Sequence, residues 1–240
     1  MKSLSSISKE TIELLKKYDT PSLCNAIEAF KVRGKNEGFM DPEIKSVFPG
    51  MSRMVGFACT AKIIASRPRR EDEKQMSLMD YWKSILNTPA PRVVVIQDLD
   101  YPSVVGSFWG EVQANIHKAL GCVGVVTNGG VRDLDELREI NFNAFAARIL
   151  VSHAYVHLTE INTDVEVGGL RVSPGDLIHA DKHGVLKIPK EIVGRLISHA
   201  DNVQRAEKKF IEECKSFSGD LQELQKRLVK MREERDTLKA

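Results

Sequence analysis

The chain has 240 residues, 42% of them apolar, enough for one large domain or a domain with appendages, which excludes disorder as its resting state. Its 35 basic and 33 acidic residues leave a net charge of +2, without the basic excess that wrapping nucleic acid requires, so no nucleic-acid partner is expected. No apolar run approaches ~18 residues, and the opening stretch is polar and helix-patterned, so neither a membrane span nor a secretory leader is expected and the cytoplasm is the natural location.

Four cysteines (Cys24, Cys59, Cys122 and Cys214) are widely spaced and form no CxxC pattern; each reads as a small core hydrophobe in a reducing compartment. Ile7, Ile12, Leu14 and Leu15 fall at helical spacing and predict an opening helix. Asp19-Thr20-Pro21 starts a second, with Leu23, Ala26, Ile27 and Phe30 as its apolar face. Residues 55–64 read as a strand, and the charged stretch 66–74, which contains Pro68, as an exposed loop. Met76, Met79, Trp82, Ile85 and Leu86 mark the next helical face, ended by Pro89 and Pro91. Residues 92–96 form a second buried strand with Gln97-Asp98 as its polar exit. This alternation predicts an α/β architecture, whose ligands gather at the carboxyl ends of the strands.

The organising stretch is 106–140. A glycine loop, Gly106 to Gly110, leads into a helix bearing Ala114, Ile116, Ala119 and Leu120, whose unpaired first amides suit a carboxylate or phosphate. A buried strand follows at 123–126; Asn128-Gly129-Gly130 then reads as a turn, and Arg132-Asp133 stands at the mouth of another helix. Beyond Asn141 come a strand or two over 142–151 and a further strand over 152–158. A hairpin around Gly168-Gly169 and the turn Ser173-Pro174-Gly175-Asp176 precede strands at 177–181 and 185–189. A long amphipathic helix covers 190–214. Past Gly219, Asp220 caps a last helix whose Leu221, Leu224, Leu228, Met231 and Leu238 follow an a/d seam. That helix either folds back on its own domain or pairs between subunits; the domain itself is expected at 1–215 and the helical tail at 216–240.

Asp133 and Glu136 share a helix face. Spacing alone favours a capping box, with Asp133 as N-cap; the alternative is that one or both carboxylates hold a hard divalent cation, with Arg132 as a planar fork for a substrate carboxylate or keto oxygen. His153, Tyr155 and His157 share one strand face and His179 and His183 bracket Asp181, a pattern of packed histidines or, with His153, His157 and His179, of transition-metal ligands. His117, on the same helical side as Gln113, either borders the pocket or bonds to a neighbour. Phe108-Trp109 is either a pocket wall or plain core.

At Gly110-Glu111-Val112, at residues 125–129 and at Arg132-Asp133-Leu134-Asp135-Glu136 the chain resembles the RraA-like family. Asp19-Thr20, Val55-Gly56-Phe57-Ala58, Pro174-Gly175-Asp176, Ala180-Asp181 and Gly184-Val185 extend the likeness over most of 10–215. The family comprises 4-hydroxy-4-methyl-2-oxoglutarate/4-carboxy-4-hydroxy-2-oxoadipate aldolases and regulators of ribonuclease E activity. The resemblance implies a β/β/α swivelling-type α/β fold, to which the tail outside the likeness adds a C-terminal helical extension, assembled as a homotrimer or dimer of trimers with sites at subunit interfaces. It implies that Asp133, with Glu136 as the motif's final acid, binds Mg²⁺ or Mn²⁺. It implies too that Arg132 binds the pyruvate moiety of a small 2-oxo acid, and that the amides of Gly110, Glu111, Val112 and Gln113 receive its carboxylate. It implies as well that an acid from the neighbouring subunit's C-terminal helix serves the site, with Glu207 a loose candidate. Asn25 and Asn128 stand where many members carry Asp, which puts the substrate in question. The implied activity is metal-dependent carbon–carbon cleavage of a 4-hydroxy-2-oxo acid, with oxaloacetate decarboxylation as a side activity. The competing class is a non-enzymatic regulator binding a ribonuclease or helicase.

Overall fold

Residues 7–237 are described by a computed structural model. Leu238, the last position of the proposed seam, lies outside them. Two compact units emerge, Gly38–Ile188 and a second made of the chain's flanks, Met1–Glu37 with Pro189–Ala240.

The central unit is an eight-stranded mixed sheet in the order β1-β5-β4-β3-β2-β9-β10, with β6 also paired to β2. Its parallel heart is β2 (Met54–Ile64), β3 (Arg92–Asp98), β4 (Cys122–Val131) and β5 (Asn143–Ile149). Helices α3 (Leu78–Leu86), α4 (Glu111–Ala119) and α5 (Leu134–Glu139) make the crossovers that parallel pairing requires. Antiparallel additions are β1 (Lys45–Ser46), β6 (His157–Ile161), β9 (Leu177–Asp181) and β10 (Gly184–Ile188). The hairpin β7 (Val165–Val167) and β8 (Leu170–Val172) forms a sheet of its own, turned by Gly168 and Gly169 at φ 53° and 68° as hairpin turns with two left-handed residues demand. Strand β3 is a run of valines because both its faces are covered: Val94 and Ile96 enter one apolar cluster, Val93 and Val95 the other.

Three expectations are corrected here. Asn128-Gly129-Gly130 is strand, not turn, and carries β4 to Val131 across a register shift between Thr127 and Gly130. There the Asn128 side chain replaces the ladder: the Asp98 N–H donates to Asn128 Oδ1 (2.7 Å) and Asn128 Nδ2 donates to the Asp98 carbonyl (3.1 Å). The glycines answer to space: a Cβ on Gly129 would lie 2.8 Å from Asp98 Oδ2, and one on Gly130 2.5 Å from Leu150 Cδ1. The strand proposed for 152–158 begins only at His157, because residues 152–156 bend. On α3 the buried side chains are Tyr81 and Ile85, while Met79 and Leu86 are exposed and Met76 precedes the Ser77 cap.

The flanking unit holds α1 (Lys9–Leu15), α2 (Thr20–Glu28), α6 (Val193–Lys215) and α7 (Leu221–Asp236). Asp19 and Asp220 cap α2 and α7 through their side chains, as their sequence contexts predict. Helix α7 packs back along α6, with Leu224, Leu228 and Met231 half-buried and Arg227 over the Phe217 ring. Asn25 Nδ2 donates to Glu207 Oε1 at 3.4 Å within this same unit. Cys59 and Cys122 are buried as expected, but Cys24 is half-buried and Cys214 exposed; no disulfide joins them. No helix among the described residues is long and apolar enough to cross a membrane.

Removing the Asn128 carboxamide leaves a backbone donor and acceptor of Asp98 unpaired in a buried setting. Asn128→Ala is expected to lower unfolding free energy by roughly 2–3 kcal/mol, read from urea denaturation midpoints.

Candidate active site

The site is built where β3 and β4 end. After β3 the chain loops back and docks Trp109 beside Val131 as a parallel bridge, and the Arg132 N–H donates to the Trp109 carbonyl (3.1 Å). Ser107 staples this seam: its hydroxyl sits 2.6 Å from the Gly130 carbonyl and 2.7 Å from that of Trp109, and accepts the Trp109 N–H at 3.0 Å. Beneath it lies an aromatic floor in which Trp109 stacks on Phe142 and meets His117 at 4.7 Å. His117 is fully buried; its Nδ1–H donates to the Gln113 carbonyl (2.6 Å) and its Nε2 accepts from the Tyr81 hydroxyl (2.9 Å). His117 therefore anchors α4 from below, and burial pushes its pKa down to about 4.

Arg132 and Asp133 follow β4 directly. Asp133 adopts the left-handed conformation (φ 56°, ψ 52°), which Asp tolerates better than most residues, and makes no side-chain bond to its own helix. The capping box is thus absent. Instead Asp133 Oδ2 accepts the Glu111 N–H at 2.9 Å, so the carboxylate caps the neighbouring helix α4, whose own N-cap is the side-chain-less Gly110. Arg132 Nε lies 3.9 Å from the same oxygen. Gly110 is glycine because a Cβ there would stand 2.5 Å from Asp133 Oδ2 and 3.1 Å from Arg132 Nε. Asp133 and Arg132 keep 30% and 35% of their side-chain surface accessible, so both can meet a ligand.

A cavity of about 430 Å³ opens at Arg132; Asp133, next in the chain, is not among its lining residues. Gly110, Val112, Gln113 and Arg132 line it, together with Phe108, His153 and His157. Of the four amides proposed as carboxylate receptors, that of Glu111 is engaged by Asp133; those of Val112 and Gln113, in the first turn of α4, bond to nothing among the described residues. Phe108 forms wall while Trp109 is wholly core. His153 and His157 reach the cavity from a bend and a strand start rather than from one strand face. His179 is buried within β9, and His183 Nδ1 pairs with Asp181 Oδ1 at 3.1 Å. No cluster of three or more His, Cys, Asp or Glu arranged to hold a metal occurs among the described residues, which removes the three-histidine reading.

A hydrated hard cation asks less. Mg²⁺ keeps several waters and needs one or two protein carboxylates. Asp133 Oδ1 carries no hydrogen bond among the described residues and belongs to an accessible side chain, so this donor fits such an ion. Glu136 is exposed on the first turn of α5.

Two features escaped the sequence reading. The stretch around Arg69, Gln75, Met76 and Leu78, read as exposed loop and helix face, supplies a cavity wall. Asp98, read only as a strand exit, is a buried carboxyl at the end of β3; its Oδ2 has no partner among the described residues, and burial lifts its pKa to about 6.

The RraA-like family model, Aldolase/RraA, matches residues 20–186. The chain belongs to this family. The uncharacterized protein MJ0644 of Methanocaldococcus jannaschii is 28% identical over 205 residues, covering 84% of this chain and 87% of that one. The 4-hydroxy-4-methyl-2-oxoglutarate aldolase of Thermus thermophilus is 37% identical over 71 residues, 29% of this chain and 43% of that protein, so less than half of the aldolase is spanned. Two crystal structures share the RraA-like fold. An uncharacterized protein from Pseudomonas syringae has a TM-score of 0.72 at 22% identity and covers 95% of this chain and 96% of its own. The Streptomyces coelicolor protein RraAS2, described as an unusual member of the RNase ES inhibitor RraA family, has a TM-score of 0.67 at 20% identity, covering 84% and 95%. The α/β fold with its C-terminal helices is therefore that of the RraA-like family.

Acid should probe the floor of the site. His117 titrates at 6.5 when unfolded and about 4 when folded, so its burial contributes stability above pH 6.5 that is lost as pH falls toward 4, roughly 3 kcal/mol in all. Asp98, raised from 3.8 to about 6, acts oppositely and recovers stability as pH falls through 6. Asp98→Asn is therefore expected to steepen the fall of the urea midpoint between pH 6 and pH 4 relative to the unmodified chain.

Proposed function

We propose that the chain is a divalent-cation-dependent lyase that cleaves a 4-hydroxy-2-oxo acid to a pyruvate-type product, with oxaloacetate decarboxylation as a side activity. The observation that carries this reading is the Asp133 carboxylate. It makes no bond to its own helix and is held at the start of α4 beside Arg132, which lines the cavity. Asp133, with Glu136 as the second proposed acid, would hold Mg²⁺ or Mn²⁺, which would supply positive charge to polarise a 2-oxo group and offset developing enolate charge.

The chain's own residues do the rest. The Arg132 guanidinium grips the keto-acid head with a planar pair of donors, and the first-turn amides of Val112 and Gln113 receive its carboxylate at the positive end of α4. Gly110 lets the head approach the backbone closely. The hydroxyl proton leaves to water in the cavity, the bond between C3 and C4 breaks, and its electron pair becomes that of the pyruvate enolate, which then takes a proton at C3. The unit of function is proposed to be a homotrimer or dimer of trimers, in which a neighbour's acid completes the site, Glu207 being the candidate. Support for the reading comes from family membership and from the aldolase named among the relatives. A binding-only regulator of a ribonuclease or helicase is the alternative, and it requires none of this arrangement.

Pyruvate release measured over branched 4-hydroxy-2-oxo acids and oxaloacetate is expected to require Mg²⁺ or Mn²⁺ and to stop reversibly with EDTA. Activity in metal-free protein would contradict the assignment; capture of a nuclease or helicase with no turnover on any substrate would favour the regulator. Asp133→Asn should abolish turnover while leaving the fold intact. Arg132→Lys should lower kcat/KM by roughly 10²-fold, since a point charge does not replace a bidentate fork; unchanged kinetics would take Arg132 out of the site.

A further inference from the structure

Cleaving a 4-hydroxy-2-oxo acid requires a base, because the C4 hydroxyl must lose its proton as the carbon–carbon bond breaks. The ionisable side chains lining the cavity are Arg69, Arg132, His153 and His157. A guanidinium stays charged and takes no proton, which leaves the two imidazoles as the acceptors this lining offers.

Their surroundings separate the two. His157 Nδ1 lies 2.9 Å from the Tyr155 carbonyl, and its Nε2 is buried, out of reach of a cavity water. His153 Nδ1 lies 2.7 Å from the Ala154 carbonyl. A carbonyl only accepts, so the neutral His153 ring carries its hydrogen on Nδ1 and leaves Nε2 as a lone pair. His153 is exposed, lines the cavity, and makes no hydrogen bond through Nε2 among the described residues.

The bend that carries His153 is held at several points. The Ser107 N–H donates to the Ser152 carbonyl (2.9 Å), and the Val156 N–H to the His153 carbonyl (3.1 Å). The Ala154 N–H donates to Ser152 Oγ at 3.0 Å. Ala154 itself sits at φ 45°, a left-handed conformation that alanine adopts at a cost and that recurs where function fixes a backbone. Ser107 is also the residue whose hydroxyl bonds the Gly130 carbonyl, just before Arg132. His153 and Arg132 are thus tied to one staple and line one cavity.

We infer that His153 Nε2 is the general base of the cleavage, taking the C4 hydroxyl proton through a cavity water. The inference rests on the lyase reading above and names the group that relieves that water of its proton. The hydroxyl gives its proton to the water as the water gives one to Nε2. The O–H electron pair becomes the second bond of the new carbonyl, and the C3–C4 pair becomes that of the pyruvate enolate. The enolate takes a proton from water at C3 and the imidazolium returns its own to solvent, so no co-reactant is consumed.

The test uses the full chain with Mg²⁺ and follows two reactions that share the cation, Arg132 and the enolate. Cleavage of 4-hydroxy-4-methyl-2-oxoglutarate requires a hydroxyl proton to leave; oxaloacetate, which loses carbon dioxide, carries no such hydroxyl. His153→Gln is expected to lower kcat/KM for cleavage by roughly 10²-fold while oxaloacetate decarboxylation, corrected for the rate with Mg²⁺ alone, stays within about threefold. His153→Ala should give the same split. His157→Gln should leave the ratio of the two activities within about threefold. Unchanged cleavage in His153→Gln overturns the inference, as does an equal loss of both reactions, which marks a purely structural role. A split produced by His157→Gln instead of His153→Gln overturns it too. Each of these leaves the lyase reading in place, whereas an unmodified chain that releases pyruvate from neither substrate removes both.

Discussion

One carboxylate, bonded across 22 residues of chain to a neighbouring helix, holds the site together. A helix that begins at glycine has no side chain to satisfy its first amides, and Asp133 fills that role for α4 from outside. The bond joins the end of β4 to the start of the helix after β3. It also brings a negative charge to the positive pole of α4, a favourable placement worth about 1 kcal/mol. The left-handed backbone at Asp133 is the local cost, and Gly110 is the space that lets the two segments meet. Asp133 thus has two tasks, fixing α4 with one oxygen and presenting the other.

Around that bond the structure is graded by rigidity. Ser107, Trp109 and the buried His117–Tyr81 pair lock the loop after β3 to the sheet, and Asn128 does for β3 and β4 what backbone groups do elsewhere in the ladder. Ser107, His117, Tyr81 and Asn128 are buried and hydrogen-bonded, as expected where geometry must be held within tenths of an ångström, while Trp109 is held by ring packing, its buried Nε1 having no hydrogen-bond partner among the described residues.

Much of this was legible in the residues. Runs of branched side chains at 55–64 and 92–96 are strands because both faces are covered, and Gly168-Gly169 turns a hairpin because its φ values are positive. Arg132-Asp133 stands, as expected, after a buried strand and beside a glycine loop. What failed did so where partners are distant. A capping box is a three-residue rule and could not register an amide 22 positions away. Asn128-Gly129-Gly130 has turn composition, yet its glycines make room for Asp98 and Leu150 from adjoining segments. The alternation of His153, Tyr155 and His157 resembles a strand, but the chain bends before β6 starts. The loop at 66–77 carries charge and proline like any surface loop, and nothing local announces that Arg69 and Met76 turn toward a cavity.

The cavity wall comes from two kinds of chain. The side that holds Arg132 belongs to strand ends and a capped helix, stitched by buried bonds. The opposite side includes residues of a loop between β2 and α3, joined to itself by the Arg67–Glu73 ion pair and outside the regular ladder. Substitutions in that loop can reshape the cavity without disturbing the stitched half. Members of the family can therefore diverge in what the cavity admits while keeping the stitched half unchanged.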